Sequence, residues 1–297
     1  MKSKLIDLIK TILKNVFGIQ VLRIKNISEN KSEPKTKMDY VHDPAFSYMK
    51  TPAYKELLIK ELADYGNQFF SNDYFTSAES PDLPVLINDF FELYINRSLT
   101  DNTHGSGFHN AFWIYLFARI LNPDLIVESG VWKAHTTWLL EQACPNSVIY
   151  GFDPKLHHVE YKNLNAKLIK MDWSTYQLPE FDPEKAFVFF DCHVNNAQRI
   201  LEAKDKGFKH IIIDDNPPVH RLFSLMPGIP TAAMLHSGLG IENPEISWVW
   251  NGEEVTKPIN IDEARRAKDL IKIHRVFPDV GGPTRYGGFA FLSYIQI

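Results

Sequence analysis

The side chains of this chain best suited to chemistry are acids placed at the ends of short apolar runs. Asp191 follows Ala186–Phe190 (AFVFF), and Asp214-Asp215-Asn216 follow His210–Ile213 (HIII). Runs this short and this apolar read as buried strands of a parallel sheet. Two such strands side by side bring three or four oxygen-bearing side chains to one spot at their carboxyl ends, where open α/β sheets bind ligands. Oxygen donors suit a hard divalent cation, with Mg²⁺ the expected choice and water completing an octahedron. A hydroxyl bound to such an ion has a lowered pKa and becomes a competent nucleophile. His193, two residues beyond Asp191, is the candidate base, because histidine ordinarily titrates near pH ~6.5; His220 is the second choice.

A second constellation lies upstream, in LIVESGVWKAHTTWLLEQACPNSVIYGFDP (125–154). Leu125-Ile126-Val127 is a strand-like run, Glu128-Ser129-Gly130 breaks it, and Lys133 to Ala143 has helical spacing. Val148 to Phe152 is a second apolar run, ended by Asp153-Pro154. Strand, glycine turn, helix, strand, acid makes one βαβ unit. A carboxylate at the end of its second strand is placed to accept two hydroxyl hydrogen bonds from a ribose, which points to a nucleoside-bearing cofactor. The dinucleotide fingerprint Gly-x-Gly-x-x-Gly is absent, since Gly130 stands alone in the turn.

Glu128-x-Gly130-x-x-x-Ala134 followed by Thr136-Thr137 resembles the first motif of class I S-adenosylmethionine-dependent methyltransferases. Ala134 stands where that family often has a third glycine. The resemblance implies a doubly wound, mostly parallel seven-stranded α/β sheet. It implies cofactor contacts from Glu128, Gly130, Thr136, Asp153 at the ribose, and Asp172 near the adenine amine. The acids after the fourth and fifth strands resemble those of metal-dependent O-methyltransferases, both the catechol type and the macrocin type that acts on sugar hydroxyls. Carried over by position, the metal ligands are Asp191, Asp215 and Asn216, with Asp214 an alternative. Macrocin-type enzymes carry a histidine one residue beyond the place of His193.

The elements that must position these residues follow in order. Thr51-Pro52 is a cap with proline at the first helical position, and Gly66 is expected to end that helix. Leu83 to Ile95 reads as a helix, Leu99 to Phe108 as a polar loop and Asn110 to Leu121 as a further helix; the resemblance implies that the segment before the first strand closes over the cofactor. His104 in that loop and the adjoining His109 read as exposed or capping. Lys167 to Met171 is a strand, Asn195 to Lys206 a helix closed by Gly207, and Ile271 to Phe277 with Phe289 to Ile297 an antiparallel closing pair. Pro217-Pro218 forbids an immediate helix, and the stretch to Gly240 reads as an apolar lid, part of an insertion spanning about 217–260. Trp173, Trp248, Trp250 and Tyr286 offer faces for stacking on an acceptor.

The division expected is a basic amphipathic helix and linker (1–37), a helical extension (38–109) and a methyltransferase domain (110–297). Residues 1–37 carry nine Lys/Arg against three Asp/Glu, a net of +6 that leaves −10 for the remainder of a chain of net charge −4. With pI ≈ 6.3 nothing favours nucleic acid. Residues 1–24 present one apolar face from Leu5 to Phe17, suited to an anionic membrane surface, to their own domain or to a second subunit in a homo-oligomer. Cys144 and Cys192 are too few for a disulfide framework, so a reducing cytoplasm is the default compartment. The function expected is an O-methyltransferase using S-adenosylmethionine and Mg²⁺ on a small-molecule or glycan hydroxyl. The rivals are a nucleotide-sugar glycosyltransferase and a non-catalytic, membrane-associated binding protein of the same fold.

Overall fold

The computed structural model describes residues 51–71, 82–102, 104–222, 228–284, 286 and 291–297. The proposed surface helix of residues 1–24 lies outside these, as does Phe289. Among the described residues no helix is long and apolar enough to cross a membrane.

The core is a seven-stranded sheet of β1 (Leu125–Ser129), β2 (Val148–Phe152), β3 (Lys167–Ile169), β4 (Ala186–Phe190), β5 (His210–Ile213), β8 (Ile273–Val276) and β9 (Ser293–Gln296). The strand order is β3-β2-β1-β4-β5-β9-β8. β1 to β5 are mutually parallel, and β9 runs antiparallel to both β5 and β8. This is the doubly wound, mostly parallel sheet that the first motif implied, with the expected antiparallel closing pair.

Every residue of β1, β4 and β5 is buried, which is why these segments read as unbroken apolar runs. One face is covered by α1 (Pro52–Phe70), α2 (Leu83–Ile95), α3 (Phe108–Leu121) and α4 (His135–Ala143). Against the other pack α5 (Asn196–Asp205), α6 (Ala232–Ser237) and α7 (Ile261–Leu270). α3 is buried along nearly its whole length, so its ends, not a polar face, are what it offers to a site.

Two local expectations are corrected. α1 does not stop at Gly66 but runs on to Phe70; a Cβ at Gly66 would lie 2.9 Å from Leu83 Cδ1, so the glycine gives α2 room to approach. The stretch read as an apolar lid contains α6, capped by Thr231 and closed by Gly238, with Met234 and Leu235 in the core. Further along, β6 (Glu245–Trp250) and β7 (Glu253–Pro258) form a separate hairpin closed by Asn251-Gly252, both at positive φ. The signal that could have found it is the alternation of residues on either side of Asn-Gly.

Candidate functional site

The site follows from register. Ser129 lies level with Phe152 on one side and Phe190 on the other, and Phe190 is level with Ile213. Four parallel strands therefore end flush, and the next residues, Gly130, Asp153, Asp191 and Asp214, form one row. The row spans the switch point between β1 and β4, where chain connections leave in opposite directions and a crevice opens.

Gly130 (φ 100°) turns the chain directly against β4: a Cβ there would fall 2.6 Å from the carbonyl oxygen of Asp191. The turn continues through Trp132 (φ 47°) and Ala134 (φ 64°), both left-handed, so α4 begins at His135 rather than at Lys133. Asp153 braces this turn. Its Oδ2 accepts from the backbone N–H of Val131 (3.1 Å) and Trp132 (3.2 Å), and its Oδ1 from that of Lys155 (2.6 Å). Glu128 is buried; one carboxylate oxygen accepts from Thr137, while Oε1 has no hydrogen-bond partner among the described residues. Burial pushes its pKa up to about 8. Thr136 is buried and donates to Ser106 Oγ (3.2 Å), which in turn donates to Asp191 Oδ2 (3.3 Å).

Asp191, Asp214 and Asp215 crowd together. Burial first, then the neighbouring carboxylates, raise Asp191 well above the ordinary range; burial and Asp215 push Asp214 up to about 7, and burial raises Asp215. Asp214 accepts from Asn110 Nδ2 (2.6 Å) and from the Asp215 backbone (2.7 Å). Among the described residues, the basic side chain recorded against the trio is His193, whose Nδ1 lies 3.5 Å from Asp215 Oδ2. Both His193 (φ 53°) and Asp215 (φ 46°) sit in the left-handed region, strain of the kind that gathers at functional sites.

Asn216 does not join them, which corrects its assignment as a metal ligand. It is fully buried: Nδ2 donates to Ser293 Oγ (2.7 Å) and faces His274 Nε2 (3.1 Å), and Oδ1 accepts from the Ala233 backbone (3.1 Å). Its amide ties β5 to the closing strands and α6. No group of three or more described His, Cys, Asp or Glu side chains forms a ready coordination shell. The donors present fit a hard cation held by one or two carboxylates, with water in its remaining positions.

A cavity of about 310 Å³ opens at the row, lined by Gly130, Trp132, Asp153, Asp172, Asp191 and His193 among others. His104 also lines it, whereas His109 is buried on α3 against the Tyr286 carbonyl (3.0 Å), and His220 is exposed in a turn away from it. A larger cleft of about 640 Å³ beside residues 174–183 holds none of these groups. At the cavity wall Asp172 is held by Arg199, a buried side chain of α5 that also binds Glu202. Trp173 is fully buried and donates to Glu202 (2.9 Å), so it offers no stacking face; Tyr286 is stacked on Phe108 (4.1 Å). Ser106, Asn110 and Arg199 are the site residues that sequence reasoning missed. Each acts through a partner 27 to 104 residues away, which no local pattern announces.

No protein-family model matches the chain, and neither does any curated protein. Solved structures do. The chain is similar to the Bacillus cereus O-methyltransferase in complex with S-adenosylhomocysteine (15% identity, TM-score 0.41, 78% of this chain and 96% of that one). It is similar to CmcI-D160 with Mg and S-adenosylmethionine (16%, TM-score 0.39, 64% and 72%). It is also similar to TomG of Streptomyces achromogenes, an O-methyltransferase involved in tomaymycin synthesis, in complex with S-adenosylmethionine (12%, TM-score 0.38, 74% and 91%).

Proposed function

We propose that this chain transfers a methyl group from S-adenosylmethionine to a hydroxyl of a sugar, glycan or glycosylated metabolite, with Mg²⁺ or Mn²⁺ at the aspartate trio. The observation that carries the reading is the charge balance of the rim. Glu128, Asp191, Asp214 and Asp215 are brought together, with the His193 imidazole as the one basic side chain recorded against the trio among the described residues, and burial and mutual repulsion hold their pKa values up. Carboxyl groups held up in this way ionise most readily beside a positive charge, so the crevice favours cationic ligands, such as a sulfonium, an ammonium and a divalent ion. The diphosphate of a nucleotide sugar would set its negative charge against the aspartate trio, which disfavours the glycosyltransferase alternative.

When bound, S-adenosylmethionine supplies an electrophilic methyl group, and a divalent ion lowers the pKa of a coordinated hydroxyl. Asp191 with Asp214 or Asp215 would hold the ion. The protein's own residues do the positioning. Gly130 lets the turn come close to the cofactor, and Asp153 keeps that turn in shape while facing the cavity. His193 accepts the acceptor's proton on the ring nitrogen not facing Asp215, and Asp215 stabilises the imidazolium so formed. The sugar acceptor rests on the likeness to macrocin-type motifs.

The test is calorimetry with S-adenosylmethionine, followed by mass spectrometry of products from sugar and catechol acceptors with and without EDTA. Binding is expected, with methylation that needs Mg²⁺ or Mn²⁺ and a sugar as the better acceptor. Asp153→Ala should weaken cofactor binding by about 1.5–3 kcal/mol, the range for hydrogen bonds to a charged group. No cofactor binding would reject the reading outright; full activity in EDTA would reject the ion.

A further inference from the structure

Two hydroxyls join the two halves of the site. Thr136 Oγ1, in the first turn of α4, donates to Ser106 Oγ (3.2 Å), and Ser106 Oγ donates to Asp191 Oδ2 (3.3 Å). α4 follows the glycine turn and Asp191 follows β4, so these bonds cross from one to the other through a residue that belongs to neither. Ser106 stands in the loop just before α3, and both it and Thr136 are buried. A hydroxyl has one proton to give. Thr136 spends its proton on Ser106 and Ser106 spends its own on Asp191, so both donors point toward the aspartate.

The loop that carries Ser106 is itself tied to the glycine turn. Lys133, in that turn, donates to the Asp101 carbonyl (2.9 Å) and pairs with Glu160 (2.9 Å). Asn102 Nδ2 donates to the Ser106 carbonyl (2.9 Å), and His104 of the same loop lines the cavity. Four residues past Ser106, Asn110 donates to Asp214 (2.6 Å), so one short stretch of chain holds both neighbouring aspartates. The two hydroxyl bonds exceed the ~2.7–2.8 Å usual between oxygens. The chain therefore has slack, and drawing in either end shortens it. Bonds linked in this way away from water also polarise one another.

We propose that Ser106 is a positioning residue that couples the two ligands of this site: a cofactor held by the glycine turn and the start of α4 tightens the binding of a divalent cation at Asp191. By linkage the cation tightens the cofactor by the same factor. This rests on the function proposed above and adds to it the residue through which its two ligands sense each other. A cofactor packed on the turn steadies Lys133 and Thr136, and through them the loop, so that Ser106 is held where it fixes the Asp191 carboxylate. A cation fixes that carboxylate from its other side, and the loop with it. Each ligand orders part of what the other must order, and the second to arrive binds at lower cost. Charge alone gives the opposite sign, because a sulfonium and a divalent ion repel each other.

The test titrates Mn²⁺ by electron paramagnetic resonance on the full chain, with and without saturating S-adenosylhomocysteine, whose sulfur carries no charge. Circular dichroism confirms folding. In the wild type S-adenosylhomocysteine is expected to tighten Mn²⁺ binding about fivefold or more, and calorimetry should show Mn²⁺ tightening S-adenosylhomocysteine by the same factor. Ser106→Ala removes the link and should bring that factor to within about twofold of unity. A serine that only supports the fold would weaken one or both affinities and leave the factor as it was, which overturns the proposal. A wild type whose Mn²⁺ affinity is indifferent to S-adenosylhomocysteine overturns it too; in both cases the cofactor and cation readings stand. If the wild type binds only one of the two ligands, the proposal falls together with the reading of the other. If it binds neither, the proposed function falls as well. Should Ser106→Ala not fold, Thr136→Val, which removes the first hydroxyl and keeps the branched shape, decides in the same way: a lost factor supports the chain, and an unchanged one overturns it.

Discussion

Two sets of aspartates stand on the same carboxyl rim of the same sheet and are treated in opposite ways. Asp172, beyond β3, is clamped by a buried arginine, and its pKa is driven down. Asp191 and Asp214, beyond β4 and β5, have each other for neighbours, and theirs are driven up. The residue type and the rim are shared, and burial alone would raise all three; the difference is whether the fold supplies the compensating charge. Where it does, the carboxylate is a rigid piece of wall. Where it does not, the charge is left to be neutralised by something that arrives from solution.

The largest expected effect breaks the satisfied side. Arg199→Met leaves Asp172 and Glu202 without their partner and should destabilise the fold by about 3–5 kcal/mol, read from denaturant melts. Neutralising the unsatisfied side should do the reverse to stability and harm function. Asp191→Asn is expected to lower turnover by about a hundredfold or more while leaving the melting temperature equal or higher, because it removes repulsion. A melting temperature that falls sharply would place Asp191 with Asp172, as a structural acid.

Asn216 tests the boundary between the two sets. Its amide is spent on Ser293, His274 and the Ala233 backbone. Asn216→Ala should therefore cost about 1–3 kcal/mol of stability through unpaired buried groups, with Mn²⁺ affinity unchanged in the folded fraction. Loss of Mn²⁺ affinity without loss of stability would restore it to the cation site.

The smallest effect is a pH dependence, and its sign separates the sets. Asp214 has a folded value of about 7 against an ordinary 3.8, so the folded state binds the extra proton between those values. Its contribution to stability falls as pH rises through that window and is level above it. Glu128, at about 8, extends the fall. Asp172 contributes fully above its ordinary value and loses its contribution as pH falls below about 4. Melting temperature measured without divalent ions should thus decline from about pH 4 to pH 8, and Mg²⁺ should recover it most at the alkaline end, where the trio is charged. A decline that Mg²⁺ leaves untouched would remove the cation from the proposal.

The parts of this molecule that could be read from the chain are those whose cause is local. The β1 run, Gly130 and the acid after β2 are adjacent in sequence, and parallel strands buried on both faces have no polar residues to blur them. That Asp191 and Asp214 would meet was also legible, since both follow apolar runs of similar length and such runs pair. The failures have distant causes. Gly66 looked like a helix end because nothing near it says that Leu83 will press there. Met234 and Leu235 looked like a lid because prolines surround them, although the sheet needed covering. Asn216 was grouped with its neighbours in sequence, whereas its amide belongs to strands that enter the sheet nearly eighty residues later.

For anyone wishing to alter this protein, the turn after β1 divides into positions that can be moved and one that cannot. Position 130 is closed to substitution: even alanine, the smallest change, puts a methyl group onto the Asp191 carbonyl and does so at a φ that side chains avoid. Ala134, four residues on, is the opening. It already holds a left-handed conformation against its preference, so glycine there would relieve about 1 kcal/mol of strain at the cost of one small buried methyl group. An engineer would leave 130 alone and begin at 134.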